Sequence, residues 1–364
     1  MRQYVSRARR IALAVPAVLT GLALTTGVAS ATTASAHPAR PVAANVTWTK
    51  IKPINNWHSA ESPYATGDPA WAIRNGMVYL AGSVKRSGGT ATQFGVLPAQ
   101  ARPSHDMWIT VYTLNDTTGT LYINTSGQMD AYGASSPGFL SLAAVSFPAR
   151  TTRQTKFSLR NGWHSEQSAW NSGDPSYSVS GGVVRLAGSL ATPGTNDEFA
   201  VLPKAARPSH VLYLTVYTFG GTFGTVQIDP NGVARAYSGS AASFTSLAGV
   251  SYPVASAKPH KLTLLHGWHS EQGAWNSGNP SYAVSNGIVY LSGSLATSGT
   301  NEVFGVLPKG YRPSHLLYIK VYTYGSTVGT VFIDPNGTME AYGPSGTSAR
   351  QFTSLAGLSF PLGS

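Results

Sequence analysis

The side chains of this chain best suited to recognition are aromatic, and they recur in one pattern. Residues 107–113 read Met-Trp-Ile-Thr-Val-Tyr-Thr, 212–218 read Leu-Tyr-Leu-Thr-Val-Tyr-Thr, and 317–323 read Leu-Tyr-Ile-Lys-Val-Tyr-Thr. In a strand, alternate residues share a face. Trp108, Thr110 and Tyr112 therefore lie together, as do Tyr213, Thr215 and Tyr217, and Tyr318, Lys320 and Tyr322. A threonine or lysine between two aromatics predicts a wet face, an aromatic ladder on which sugar rings stack. The competing reading is cross-strand aromatic pairing that stabilises a sheet. Tyr64, Trp170 and Trp275 sit in a segment dense with Gly, Pro and Asn, where burial is harder, and join the ladder as candidate ligand contacts.

Other repeated residues read as structural. Trp57, Trp163 and Trp268 open Trp-His-Ser phrases and are expected to be core anchors, with His58, His164 and His269 pointing the other way. Leu-Pro-x-x-x-Arg-Pro-Ser-His, starting at Leu97, Leu202 and Leu307, carries two prolines and predicts a stiff connection between strands. Its arginine is expected to pair with a carbonyl or carboxylate. Its single histidine per copy is a weak metal signal.

Catalytic chemistry finds little support. No acidic position recurs in all three copies: Asp68 and Asp174 become Asn279, Asp229 and Asp334 match Asn124, and Glu166 and Glu271 match Ala60. Glycoside hydrolysis normally needs a carboxylate pair, and no copy offers a dependable one. The Ser-His step places its two side chains on opposite sides of an extended chain, unlike a nucleophile and its base. With no cysteine, disulfides and thiolate metal sites are excluded. The expectation is a protein that is not an enzyme and carries neither metal nor cofactor.

These residues must be positioned by a repeating unit. Arg-Pro-Ser-His begins at Arg102, Arg207 and Arg312, a spacing of 105 both times, and each copy closes on an aromatic-proline pair at Phe147, Tyr252 or Phe360. A period this long marks domains rather than solenoid repeats. The expected domains are 46–148, 157–253 and 262–364, joined by short basic spacers at 149–156 and 254–261. Asn75-Gly76, Gly181-Gly182 and Asn286-Gly287 split β-rich runs and predict hairpins, and Pro230-Asn231-Gly232 predicts another. No stretch carries a helical stripe. The predicted class is all-β: three tandem jelly-roll-like β-sandwiches or compact barrels.

The start of the chain reads as an export signal. Arg2, Arg7, Arg9 and Arg10 precede an apolar stretch at 11–28 and small residues at Ala34, Ser35 and Ala36. Residues 1–36 are expected to be removed, by the general or the twin-arginine route, and the Ala- and Pro-rich 37–45 to be disordered. No later segment is apolar enough to span a membrane. The net charge is +11, from 25 Lys and Arg, four of them in the leader, against 14 Asp and Glu. The remainder is scattered, which weakly favours an anionic polymer and lacks the basic stripe of a nucleic-acid binder.

Within copy three, Gly-x-Val-x-Leu-x-Gly at 287–293, Leu-Pro-x-x-x-Arg-Pro-Ser at 307–314, Val-x-Ile-Asp-Pro-Asn-Gly at 331–337 and the close at 354–360 follow in order. This order resembles the small β domains at the tips of bacteriophage tail fibres and related receptor-binding proteins. The resemblance covers each unit nearly end to end and implies a jelly-roll-like sandwich, trimers and binding of cell-surface saccharides. A leader and three units in one polypeptide depart from that family. They point to intramolecular packing of one monomer about a pseudo-threefold axis. The functional expectation is a secreted, extracellular binding protein for cell-surface or cell-wall polysaccharide with repeated weak sites. The alternatives are a structural or adhesive surface protein and an unrecognised cell-wall hydrolase.

Overall fold

Alternating short strands and two-residue turns build each repeat. The computed structural model describes residues 46–254, 259–344 and 346–364. The expected leader and the segment 37–45 lie outside the described residues.

The first repeat runs β1 (Thr49–Lys50), β2 (Trp57–Ser59), α1 (Glu61–Tyr64), β3 (Ala70–Arg74), β4 (Met77–Ala81), β5 (Ser83–Arg86), β6 (Gln93–Val96), β7 (Met107–Thr113), β8 (Thr117–Ile123), β9 (Gln128–Tyr132), β10 (Leu140–Ser141) and β11 (Ser146–Pro148). A four-stranded sheet has the order β1-β3-β4-β11, and a seven-stranded sheet the order β2-β5-β10-β7-β8-β9-β6; both other repeats duplicate this order. The all-β expectation holds. The expected hairpins form at Asn75-Gly76, Gly181-Gly182 and Asn286-Gly287, where Arg74 pairs Met77, Ser180 pairs Val183 and Ser285 pairs Ile288. The last two residues of each spacer, Thr155–Lys156 and His260–Lys261, form the edge strand of the next small sheet.

The two sheets of a repeat share one core. In the first, Val78, Leu80 and Phe147 of the small sheet meet Phe94, Ile109, Val111 and Leu121 of the large one. Trp57, Trp163 and Trp268 are buried as expected, and each indole donates Nε1–H to a loop carbonyl at 2.8–2.9 Å. Arg102, Arg207 and Arg312 each donate Nε–H to the carbonyl of Leu97, Leu202 or Leu307, at 2.8–3.1 Å. At Gly82, Gly188 and Gly293, φ is +80° to +89°, and a Cβ would fall 2.2–2.3 Å from the carbonyl oxygen of Asp68, Asp174 or Asn279. Only glycine fits so close to a neighbouring backbone.

The three repeats close on one another in cyclic order. β7, Leu212–Thr218 and Leu317–Thr323 each touch the other two. The same backbone bond recurs at every junction: Asp106 N–H to Asn171 O, Val211 N–H to Asn276 O and Leu316 N–H to Ala65 O, each 2.9 Å. The last of the three joins the third repeat back to the first. The histidines of Arg-Pro-Ser-His take part, with the rings of His105, His210 and His315 covering Gly173, Gly278 and Gly67 of the next repeat. The intramolecular pseudo-threefold packing expected from the sequence is what the chain adopts.

At one pole of the axis the third strands of the small sheets, β4 and its counterparts, meet. Met77, Tyr79, Val183, Ile288 and Tyr290 form a buried cluster there. Arg185 holds the place of the two tyrosines in the second repeat and is itself buried, donating from Nη1 to Ser180 O at 3.3 Å.

Candidate functional site

The ten candidate ligand residues gather into three clusters, one per junction. At the first-to-second junction, Trp108 stacks on Tyr217 at 6.5 Å between ring centroids and meets Trp170 edge-on at 5.8 Å. At the second-to-third, Tyr213 lies 5.3 Å from Tyr322 and 5.8 Å from Trp275. At the third-to-first, Tyr318 lies 4.9 Å from Tyr112, with Tyr64 packed on the shared Phe139 at 4.4 Å.

This packing corrects the wet-face expectation. Tyr112, Tyr213 and Tyr322 are 8%, 8% and 5% exposed, and Trp108, Tyr217 and Tyr318 are half-buried. The alternation itself holds, since Met107, Ile109 and Val111 face the core of their own repeat. The opposite face is covered by the neighbouring repeat, which a reading of one unit does not contain. Cross-strand pairing also occurs, as in Trp108–Tyr122 at 5.1 Å and Tyr318–Phe332 at 4.8 Å. Even the hydroxyls are engaged: Tyr112, Tyr217 and Tyr322 accept the backbone N–H of Asp116, Gly221 and Ser326 at 3.1–3.3 Å. Burial raises the pKa of Tyr213, Tyr217 and Tyr318.

Lys320, the polar rung of the third copy, is not a wet rung either. Its side chain is 2% exposed. Nζ donates to Asp116 O at 2.7 Å, Asp116 Oδ1 at 2.8 Å and Thr330 Oγ1 at 2.8 Å, and lies 5.1 Å from the centre of the Tyr112 ring. Burial pulls its pKa below the ordinary lysine value, and Asp116 opposes that shift. No sequence signal linked Lys320 to Asp116, because the two lie in different repeats.

The loop aromatics keep more of their surface. Each ends a four-residue helix, α1 or its counterparts Gln167–Trp170 and Gln272–Trp275, too short to show a helical stripe in sequence. Trp170 is 38% exposed, whereas Tyr64 and Trp275 are half-buried. Two partners escaped the sequence reading. Phe219, 46% exposed, meets Trp170 at 6.0 Å, and Tyr324, 44% exposed, meets Trp275 at 6.1 Å, both edge-on. They immediately follow the ladder strands, and their counterpart in the first repeat is Leu114. That two-residue offset from Tyr217 and Tyr322 was the available signal.

The acidic residues differ from repeat to repeat. Asp229 pairs with Arg235 at 2.5 Å in the second, whereas Glu340 replaces that arginine in the third. Burial, and then Glu340, raise the Asp334 carboxyl above its ordinary pKa, and Tyr342 donates its hydroxyl to Glu340. Among the described residues no three His, Asp or Glu side chains gather to hold a metal ion, and no helix is long and apolar enough to cross a membrane. No family model, curated protein or solved structure matches the chain.

Proposed function

We propose that the chain is an exported, non-catalytic protein that binds cell-surface or cell-wall polysaccharide at its repeat junctions. The edge-on pairs Trp170–Phe219, both exposed, and Trp275–Tyr324, with the tyrosine exposed and the tryptophan half-buried, carry the reading. Each pair turns one ring against the other, so a pyranose can rest its C–H face on one and its edge on the second. Aromatic contacts of this kind contribute about 0.5–1.5 kcal/mol beyond area burial. Two equivalent pairs on one chain raise apparent affinity for a repeating polymer through effective concentration. The buried ladder now supports the site from behind instead of forming it.

The test is retention of the full chain on purified cell-wall fractions and a glycan panel. Phe219→Ala with Tyr324→Ala removes one ring of each pair, at about 0.5 kcal/mol of stability per exposed site. Polymer affinity should fall at least about tenfold, 1.4 kcal/mol. Trp268→Ala is the core control, expected to cost about 3–5 kcal/mol of stability. Unchanged retention by a folded double variant would reject the pairs as the site. Turnover of the polymer would assign a hydrolase instead, and absence of any saccharide binding would leave the structural, adhesive role.

A further inference from the structure

A groove of about 410 Å³ lies at the first-to-second junction. The first repeat contributes His105, Met107 and Phe147, the spacer contributes Gln154 and Lys156, and the second repeat contributes Gln167, Asp174 and Leu186. Ligand sites are typically concave, of roughly 300–1,000 Å³, with an apolar lining and a few convergent polar groups. This groove has that composition.

Its polar groups keep bonding capacity to spare. Asp174 is paired with Lys156, and that contact, followed by a bond from Ser165, holds its carboxyl below the ordinary range. An ionised carboxylate offers about four acceptor sites, so it can still take hydroxyls. The Gln154 side-chain oxygen accepts Ser176 Oγ–H at 3.2 Å, which leaves its amide hydrogens for the groove. One ring nitrogen of His105, Nδ1, is shared with Ser104 Oγ at 3.0 Å, which leaves Nε2. The walls are fixed: Gly188 lies against the Asp174 carbonyl and Gly173 beneath the His105 ring, with no room for a side chain on either.

We infer that this groove binds one or two rings of a neutral saccharide. The charge balance selects the class. Asp174 and Lys156 cancel, and His105 is the only other titratable side chain lining the space. An acidic sugar would bring an uncompensated carboxylate beside Asp174, whereas neutral hydroxyls can donate to it and accept from the amides. Ala187 and Ala248, both partly exposed in the groove wall, supply the apolar surface for the ring's C–H face, with Met107, Phe147 and Leu186 packed behind them. Gln167 and Trp170 are the two ends of one helix, so the groove and the exposed aromatic pair flank the same turn. The inference rests on the polysaccharide reading and extends it to a second subsite.

The test is calorimetry on the full chain with cellobiose, maltose, lactose and diacetylchitobiose, with digalacturonate as the acidic probe. At least one neutral disaccharide should bind, and more tightly than digalacturonate. Asp174→Asn should weaken it about tenfold without unfolding, since Asn279 occupies that position in the third repeat. Gln167→Trp should fill the groove and abolish binding, whereas Phe219→Ala with Tyr324→Ala should leave the disaccharide bound and lose only the polymer. Disaccharide binding that ignores both groove variants, a preference for digalacturonate, or no neutral disaccharide bound at all would each overturn the groove. Polymer retention lost only through the aromatic pairs would then leave the wider reading standing.

Discussion

The first-to-second and third-to-first junctions use the same positions but different residues. A covalent spacer crosses the first, where the 105-residue offset puts Thr110 and Gly221 at the equivalent positions. Covalently unlinked, the third-to-first junction places Lys320 at the threonine position and Asp116 at the glycine position, and these form the only ion pair between repeats among the described residues. The charge sits where the chain does not hold the repeats together. A buried lysine costs several kcal/mol unless a carboxylate faces it. Lys320 is therefore accommodated beside the first repeat and nowhere else in the ring. The pair specifies which repeat closes on which.

The strongest way to break this contrast is to isolate repeats. Each has its own core, but each alone exposes two complementary junction faces. Fragment 155–253, with Thr215 facing Gly221, should assemble into a homotrimer in sedimentation experiments. Fragment 260–364 should fail to do so, because Lys320 would face Ser326, and Lys320→Thr should restore assembly. A third-repeat fragment that trimerises as well as the second would remove the lysine's role.

A smaller effect separates the pair from its parts. In the full chain, Lys320→Thr strands Asp116 and should cost about 3 kcal/mol, the bottom of the range for breaking a buried pair because Asp116 is 30% exposed. Adding Asp116→Gly recreates the second repeat's residues and should return most of that loss. It also relieves a left-handed residue, since Asp116 has φ +60° and its counterpart Gly221 has φ +76°. Denaturant unfolding of the four variants forms a double-mutant cycle, and additive losses would show that the two residues act independently.

Smallest is the comparison with a charge whose acidic neighbour, Glu340, lies in its own repeat. Asp334 is held above its ordinary pKa, so the folded chain binds that proton more tightly than the unfolded chain does. The resulting stability is present below the unfolded value of 3.8 and is lost as pH rises through the folded value. Asp334→Asn should therefore be slightly more stable than the parent at neutral pH, by less than about 1 kcal/mol, with the gap closing toward pH 3. A variant less stable at neutral pH would show that the carboxylate is needed in its charged form.

Sequence legibility follows the range of the interactions. The tandem order, the hairpin turns and the core role of Trp57 depend on contacts within one repeat, and period-two alternation with Asn-Gly turns reports those directly. The face holding Trp108, Thr110 and Tyr112 was identified, but its solvent state was not, because a polar rung flanked by aromatics looks alike at a wet surface and at a packed junction. Trp170 and Trp275 were legible as loop aromatics. Phe219 and Tyr324 were legible only through their two-residue offset from Tyr217 and Tyr322, which does not show that a ring after a strand will lie beside a helix from the same repeat. The groove needed three segments far apart in sequence, at His105, Gln154 and Asp174, to be brought together first.

The pole built from Tyr79, Arg185 and Tyr290 has a consequence for interchange of the repeats. A ring of three identical subunits packs the same side chain three times around its axis, and any subunit can take the place of the next. Here one guanidinium and two phenols are packed together out of solvent, so exchanging two repeats changes what each of them meets at the pole.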